Sequence, residues 1–498
     1  MYYTKNLTPT NGFDFKDLNN ARQNNYAWCI SELDNYIYVG TGRNIAYGAL
    51  TNFVGDIEAP ISVSPLIPDM NAEIWRYKKD CSLPWNRVYK SDSNISGFRA
   101  MIKHAPLNAA PYLYAAGISS SVTILKSTNG VDWYQLDNIN INGTSSRSMV
   151  SYRGKLYIAT IDDLSSDNNP YLYSSIDPEL YPLELVTDSS NPNYIKGKNP
   201  EGSILEMAVF NDNIYLATSL PDGIQVWRTN SCEPKLNDWT LIGDKGFGDS
   251  ANTNCLSMGV FKNHLYLSAI KSLPLAFAIP EGSDLIRICK NDHWEVVVGG
   301  YPISPSVPSK GSRNRSLSGL NSGFNIRFNV YMWQIQEFNN KLLITTFDDS
   351  SNMKLILDTL IINRSLLSTS IDTRIIDTLI KIYTSIVKLL SKIKYPFGFD
   401  LYESSDGINF KPIFLNGLKN SNNYGGRTLF LDCKNNLYLG TANPFEGCEV
   451  HQIKSTPKYN NYCTNHKCFY DFKNEKAELD KLFAALNTIL PKLNLNPS

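Results

Sequence analysis

Three observations on this 498-residue chain predict an all-β fold, a seven-bladed β-propeller with an α-helical insertion in blade six and a C-terminal helix. A strand–turn–strand unit ending in small residues recurs, as IYVGT ending at Thr41, LYAAG at Gly117, LYIAT at Thr160, IYLAT at Thr218, LYLSA at Ala269, LLITT at Thr346 and LYLGT at Thr441. The copies follow one another at about 40–50 residues, the spacing of propellers and solenoids. Aromatic residues reach 12%, with 29 Tyr, against 19% charged residues, which suits half-buried strands. Each copy is a unit that cannot bury its own faces, so its neighbours complete the core.

Within each unit the first strand shows a three-residue register: Trp28-Cys29-Ile30, Arg99-Ala100-Met101, Arg147-Ser148-Met149, Leu205-Glu206-Met207, Leu256-Ser257-Met258, Trp333-Gln334-Ile335 and Arg427-Thr428-Leu429. The third place is always aliphatic or Met, as a position wedged between blades requires. A third strand follows, as in EIWRY (73–77), IQVWRT (224–229) and DLIRIC (284–289). The fourth begins near an aromatic residue, Trp85, Trp133, Trp239, Trp294 or Phe410. Four strands per unit is the propeller pattern. The seventh unit ends after GCEVHQIK (447–454), so a segment within residues 2–16 is expected to supply its last strand. Residues 1–460 thus form the propeller.

Long insertions fall on connections that share one face: 42–72, 270–283 and 347–398 between second and third strands, about 187–203 and 299–330 between blades. Loops on a rigid scaffold carry sites, so this face is expected to bind; surface drift is the alternative. The insertion over 353–395 turns helical, as two helices broken near Leu367–Ser370. Ile371, Ile375, Leu379, Ile382, Tyr383, Ile386, Leu390 and Ile393 form the apolar face of the second, and Thr369 or Ser370 is its expected cap. Polar residues interrupt every apolar run, so it does not cross a membrane. It packs on itself and the propeller, covers the channel mouth, or docks on a membrane surface through Lys381, Lys388, Lys392 and Lys394. In the tail over 461–498, Leu479, Leu482, Phe483, Leu486 and Leu490 share a helical face expected to pack under the propeller or pair with a partner.

Two turns, Ser127-Thr128-Asn129-Gly130-Val131-Asp132-Trp133 and Ser404-Ser405-Asp406-Gly407-Ile408-Asn409-Phe410, resemble the Asp-box of sialidase-like and related repeats. That resemblance implies a structural turn and a propeller. The GFGD stretch and the G-x-E-[IV]-W-type third strands are also similar to propeller modules of the bacterial alkylating enzymes that assemble cylindrocyclophane-type paracyclophanes. This second resemblance implies an alkylating or cyclising biosynthetic activity. Those enzymes also carry calcium-binding nonapeptides, which these residues lack.

Lys+Arg and Asp+Glu both total 47, so no basic face for nucleic acid is indicated. The N-terminus has no signal-peptide pattern, and the nine scattered Cys read as reduced thiols; a cytoplasmic protein is expected. The five His are isolated, and Cys463 and Cys468 with His466 between them fall short of a zinc site, so no metal is read. No phosphate or dinucleotide fingerprint appears, and no cofactor is expected.

The first place of the register instead gathers Arg99, Arg147 and Arg427 with Trp28 and Trp333, all on adjacent blades of a closed ring. Converging arginines bind carboxylate or phosphate, whereas arginines at strand starts also serve as inter-blade ion pairs or stack on Trp. Glu206, the one acid in the middle place, is the candidate general base. The expected function is binding, or binding and transforming, a small anionic or amphiphilic molecule at the channel mouth. The alternative is a non-catalytic protein- or membrane-interaction scaffold acting through 353–395 and the loops.

Overall fold

Short segments rich in Val, Ile, Leu and Tyr alternate with turns whose residues take positive φ. Asp34, Arg153, Asn211, Lys262, Asn339 and Asn435 lie at φ 49–60°, the left-handed geometry that tight antiparallel hairpins need. The computed structural model describes residues 2–53, 57–92, 95–137, 139–163, 168–271, 278–455 and 473–490. Cys463, His466 and Cys468 lie outside them.

The chain opens with β1 (Tyr2–Asn6). An antiparallel unit follows, of β2 (Asn24–Leu33), β3 (Tyr36–Arg43), β4 (Glu73–Lys78) and β5 (Asn86–Lys90). The next two are β6 (Gly97–His104), β7 (Tyr112–Ile118), β8 (Thr123–Ser127) and β9 (Tyr134–Gln135), then β10 (Ser145–Tyr152), β11 (Lys155–Ile161), β12 (Tyr171–Ser175) and β13 (Glu184–Leu185). After them come β14 (Ser203–Phe210), β15 (Asn213–Ser219), β16 (Gln225–Thr229) and β17 (Trp239–Gly243). A unit with a split inner strand follows, of β18 (Asn252–Asn254), β19 (Met258–Phe261), β20 (His264–Lys271), β21 (Asp284–Cys289) and β22 (Trp294–Val298). The last two are β23 (Asn329–Phe338), β24 (Lys341–Asp348), β25 (Leu401–Ser404) and β26 (Phe410–Phe414), then β27 (Gly425–Leu431), β28 (Leu437–Ala442) and β29 (Val450–Ser455). The outer edge of β29 pairs with β1, Tyr2 opposite Ser455 and Asn6 opposite His451.

The inner strands touch in the order β2, β6, β10, β14, β19, β23, β27 and back to β2. The sheets therefore stand around a common axis, and the fold is a β-propeller. Apolar side chains fill the gaps between neighbouring sheets, as where Tyr215, Val226 and Ile242 meet Leu265, Ile286 and Val296.

Four of the gaps share a backbone clasp. Two consecutive residues in the left-handed region make an elbow before an inner strand: Gly12-Phe13, Gly246-Phe247, Gly323-Phe324 and Gly417-Leu418, with φ between 58° and 77°. The elbow glycine donates its N–H to the carbonyl of Cys448, Ile224, Ser283 or Phe399 in the preceding unit, at 2.7–3.2 Å. That same residue donates its own N–H to the carbonyl of Asn24, Asn252, Asn329 or Asn423, which opens the next inner strand, at 2.7–3.1 Å. The Asn side-chain amide then bonds the elbow glycine carbonyl and a carboxylate at the start of the third strand: Glu73, Asp284, Asp400 or Glu449, at 2.8–3.1 Å. Left-handed geometry costs a bulky residue on the order of 1–3 kcal/mol, so the elbows persist only because these bonds over-determine them.

Of the two Asp-box-like turns, one locks a further gap and the other reinforces the gap of the Gly323 clasp. Ser127 Oγ accepts from Gly130 N at 2.9 Å, and Asn129 Oδ1 accepts from Val131 N and Asp132 N. A Cβ on Gly130 would come within 1.9 Å of Tyr38 Oη in the neighbouring unit; on Gly407 the same holds for Tyr266 Oη at 2.0 Å.

Helices α1 (Leu18–Gln23) and α2 (Ile45–Phe53) flank the first unit. Between β24 and β25 lie α3 (Ser350–Ile362), α4 (Arg364–Leu367) and α5 (Thr373–Lys392), and α6 (Lys473–Ile489) follows the last sheet. Helical structure thus begins at Ser350 rather than at 353. The cap of α5 is Asp372, whose side chain accepts from Arg374 N; Thr369 and Ser370 are occupied in the turn closing α4, where Ser370 N donates to Leu367 O. Met353, Leu379, Tyr383, Ile386 and Leu390 pack against Leu479, Phe483 and Leu486 of α6 and against Phe328. The tail helix therefore lies on the helical segment, at the face that carries it, rather than under the propeller.

The clasp makes a steric prediction. A Cβ on Gly282 would lie 2.7 Å from Gly323 N, and φ of Gly282 is not in the left-handed region. Gly282→Ala should therefore lower the unfolding free energy by about 1–3 kcal/mol in urea titrations. Gly48→Ala, inside α2 with nothing nearer than Met70 Cε at 3.6 Å, should raise it by about 0.5–1 kcal/mol.

Candidate functional site

Six of the inner strands carry an extra residue at the same place, and β2 and β23 a second one nearer their start. The pairing with the second strand slips between Ala27 and Cys29, Phe98 and Ala100, Ser146 and Ser148, Ile204 and Glu206, Met332 and Gln334, and Gly426 and Thr428. The residues skipped are Trp28, Arg99, Arg147, Leu205, Trp333 and Arg427. A bulge re-aims its extra side chain, here toward the axis shared by the sheets. The register found in the sequence is thus a ring of β-bulges.

Glycine shapes what the bulges hold. A Cβ on Gly42 or Gly97 would lie 2.3 Å from the Trp28 ring, and one on Gly425 would lie 2.1 Å from Trp333. Each indole lies in a niche where two inner strands meet and is buried there. Its other face carries the arginine of the following unit: Arg99 is 5.1 Å from the Trp28 centroid and Arg427 is 5.2 Å from that of Trp333. Such contacts stabilise by about 0.5–2 kcal/mol.

Arg147 differs, because the bulge residue before it is Arg99, not Trp. It enters no hydrogen bond, ion pair or ring contact among the described residues, and its Nε is buried without a partner. Arg99 is committed: Nη1 bonds Asp163 at 2.7 Å and Ser145 Oγ at 2.8 Å. Burial first, then the charge of Arg147, push the Arg99 guanidinium down to about 9. Burial and Arg147 also lower Arg427, to about 10. The three arginines therefore share one electrostatic site. Burial raises Glu206 to about 7, opposed by Ser148 Oγ donating to Oε1 at 2.7 Å, by Met207 N and by Arg427 and Arg147. No partner meets its Oε2 among the described residues.

All six residues singled out from the sequence thus lie on the bulge ring or one place beyond it. The tryptophans are packed floors under the arginines, so both of the stated roles for arginine occur here, with Arg147 left over. Sequence reasoning missed Asp163, Tyr26, Tyr331 and Tyr424. Tyr26 lies between the two indoles, at 5.5 and 5.8 Å, and its hydroxyl meets that of Tyr424. Tyr26 and Tyr331 stand two residues before Trp28 and Trp333, on the same side of an alternating strand, which was the available signal. Asp163 belongs to a second-to-third-strand connection and carries no pattern of its own.

The helical segment turns its apolar face neither to the channel nor to solvent; the cluster with α6 and Phe328 consumes it. The exposed residues of α5 are polar throughout and include Arg374, Asp377, Lys381, Lys388 and Lys392. Its tip is clipped to the loop before the second sheet strand pair by Asn363, which accepts from Glu58 N at 2.7 Å and donates to Glu58 O at 2.8 Å. Among the described residues no helix is long and apolar enough to cross a membrane. A cavity of about 940 Å³ between Asp14–Gln23 and the outer strands of the β2–β5 unit shares no residue with the arginine site. Its charges neutralise one another, Arg87 on Glu73 at 2.7 Å and Lys90 on Asp69 at 2.6 Å.

No family model and no curated protein matches the chain. Solved structures similar to it include the GH74 xyloglucanase from Xanthomonas campestris, at 13% identity and a TM-score of 0.45 over 90% of this chain and 53% of that one. The chain spans about half the length of that enzyme. Others are Sqt1 of Saccharomyces cerevisiae, at 9% identity and 0.41 over 91% and 100%, and the WD40 β-propeller domain of Doa1, at 10% and 0.39 over 78% and 88%. The likeness concerns the fold.

The arginines separate by experiment. Arg99→Ala, which strands Asp163, should cost about 2 kcal/mol of stability. Arg147→Ala, which removes a cation from beside two others, should stay within about 0.5 kcal/mol of the parent or exceed it. Urea midpoints of the two variants check both.

Proposed function

We propose that the chain is a closed seven-bladed propeller that binds a small anionic or amphiphilic molecule at its channel mouth. The observation that carries this reading is Arg147, a guanidinium that finds no partner among the described residues, beside Arg99 and Arg427. Arg147 and Arg427 take the anionic group, for which the guanidinium fork is suited. Arg99, fixed by Asp163, adds field without changing place. Tyr26, Tyr331 and the indoles supply the apolar wall, in the manner of pockets that surround a few convergent polar groups with apolar surface. The helical insertion and the clipped loop at Glu58 cover the same face. Glu206 is the group able to exchange a proton with the bound molecule; whether chemistry follows, alkylating or otherwise, is a matter for the bound molecule's identity. The Asp-box-like turns belong to the scaffold. We place the protein in the cytoplasm, a reading supported by the free thiols of Cys29, Cys81, Cys232, Cys255, Cys289, Cys433 and Cys448.

Mass spectrometry of small molecules retained by the purified chain tests the reading. An anion retained by the parent and lost from Arg147→Ala/Arg427→Ala, with unchanged circular dichroism, is the expected result. Equal retention by both, or none by either together with no binding of added carboxylates and phosphates, would turn attention to an interaction scaffold acting through 353–395.

Glu206 adds a pH dependence. Its carboxyl is neutral below about 7 and ionised above, where it competes for the arginines. Anion affinity should fall about tenfold between pH 5.5 and 8.5, and Glu206→Gln should flatten that profile in isothermal titration.

A further inference from the structure

The four clasps end alike on the nitrogen of the Asn amide and differ on its oxygen. Asn24 Oδ1 accepts from Arg43 Nη1 at 2.9 Å, Asn252 Oδ1 from Lys271 Nζ at 2.8 Å, and Asn423 Oδ1 from Asn443 Nδ2 at 3.1 Å. Asn329 Oδ1, in a residue with no exposed surface, has no hydrogen-bond partner among the described residues.

Register shows the reason. Asn24 pairs with Arg43, Asn252 with Lys271, and Asn329 with Asp348. In the first two units the residue at the end of the second strand is a cation that bridges the Asn oxygen and the third-strand carboxylate. Arg43 reaches Glu73 at 3.6 Å and Lys271 reaches Asp284 at 3.2 Å. In the unit of β27–β29 the carboxylate of Glu449 has His451 at 2.7 Å. The β23–β26 unit instead sets a second acid, Asp348, opposite the Asn329 whose amide bonds Asp400. Among the described residues no ion pair reaches either one.

Their partners are hydroxyls and amides: Tyr395 Oη and Ser350 N on Asp348, both at 2.8 Å, and Asn329 Nδ2 and Tyr402 Oη on Asp400, at 2.8 and 3.0 Å. Both acids are buried. Like carboxylates set into an apolar interior without a counter-charge are costly.

We propose that this unit binds a calcium ion through Asp348, Asp400 and the Asn329 amide oxygen, in the place where its sister units use Arg43 and Lys271. The donor set is all oxygen, which selects a hard cation over zinc or copper. Calcium accepts carboxylates and neutral carbonyl oxygens in irregular geometry, whereas magnesium demands a near-ideal octahedron. Among the described residues no three His, Cys, Asp or Glu gather to hold a metal by themselves, so the amide oxygen is an integral ligand. The ion's role follows from its neighbours. Asp348 stands two residues before α3 begins and Tyr395 three after α5 ends, so a calcium ion there fastens both roots of the helical segment to the third strand. The anion site proposed above is not involved.

Metal analysis of the desalted chain, together with thermal denaturation in chelator and in added Ca²⁺, Mg²⁺ or Na⁺, tests this. One Ca²⁺ per chain and a midpoint about 5 °C higher in saturating Ca²⁺ than in chelator are expected. Asp348→Lys, which installs the sister arrangement, should fold and lose that response; Asp348→Asn should lose it too, so that one misfolded variant does not leave the matter open. A parent chain that takes up no Ca²⁺ and keeps its midpoint in chelator overturns the proposal. So does a response to Mg²⁺ or Na⁺ alone, or variants that respond as the parent does.

Discussion

Everything in this ring depends on how one sheet is fastened to the next. A four-stranded unit satisfies its own ladders but leaves its inner corner, where the chain enters from the preceding unit, with N–H and carbonyl groups that no ladder reaches. Buried backbone groups must be paired, and the clasp pairs them across the gap. A left-handed Gly-Phe or Gly-Leu elbow hands one N–H to the neighbour and receives one back at the Asn two turns later. The same geometry requires glycine on both sides of the gap, as at Gly282 against Gly323 and Gly398 against Gly417. Side-chain packing between sheets then fills a space whose width the backbone has already set.

With the corners fixed, the inner strands are free to be irregular. An inserted residue midway along six of them throws a side chain toward the axis, and pairing resumes directly after it. The result is a circle of positions whose identity the fold hardly restricts: indole, guanidinium or leucine. That freedom explains how three arginines come to face one another in a partly buried place. Two rest on indole faces and one of those is also held by Asp163, while burial and the charge of Arg147 lower both of them. A positive centre on a chain without net charge is therefore a local construction, made by strand register rather than by composition.

The sequence made the architecture readable through repetition, because a register shared by Trp28, Arg99, Arg147, Trp333 and Arg427 needs no knowledge of contacts. It did not reveal that the register was a bulge, since an extra residue is visible only against the partner strand. One elbow was visible within the GFGD stretch at Gly246-Phe247, yet its left-handed backbone and its pairing across the gap were not. Asp163 and Tyr424 reach the site from connections without periodicity, and no spacing rule points to them. The cap of α5 was misplaced because Ser370 and Asp372 are equally good capping residues; only the turn that closes α4 decides between them.

Strand β1 seals the ring against β29, and Thr8 meets Val450 across 442 residues of chain. Contacts of that separation form late, since every intervening sheet must first be in place to bring the two edges together. Until then the last sheet is a three-stranded one with an open edge, a template for a stray strand from another molecule. The seam is thus the step at which assembly and aggregation compete, and the completed circle has no comparable edge from which to unravel.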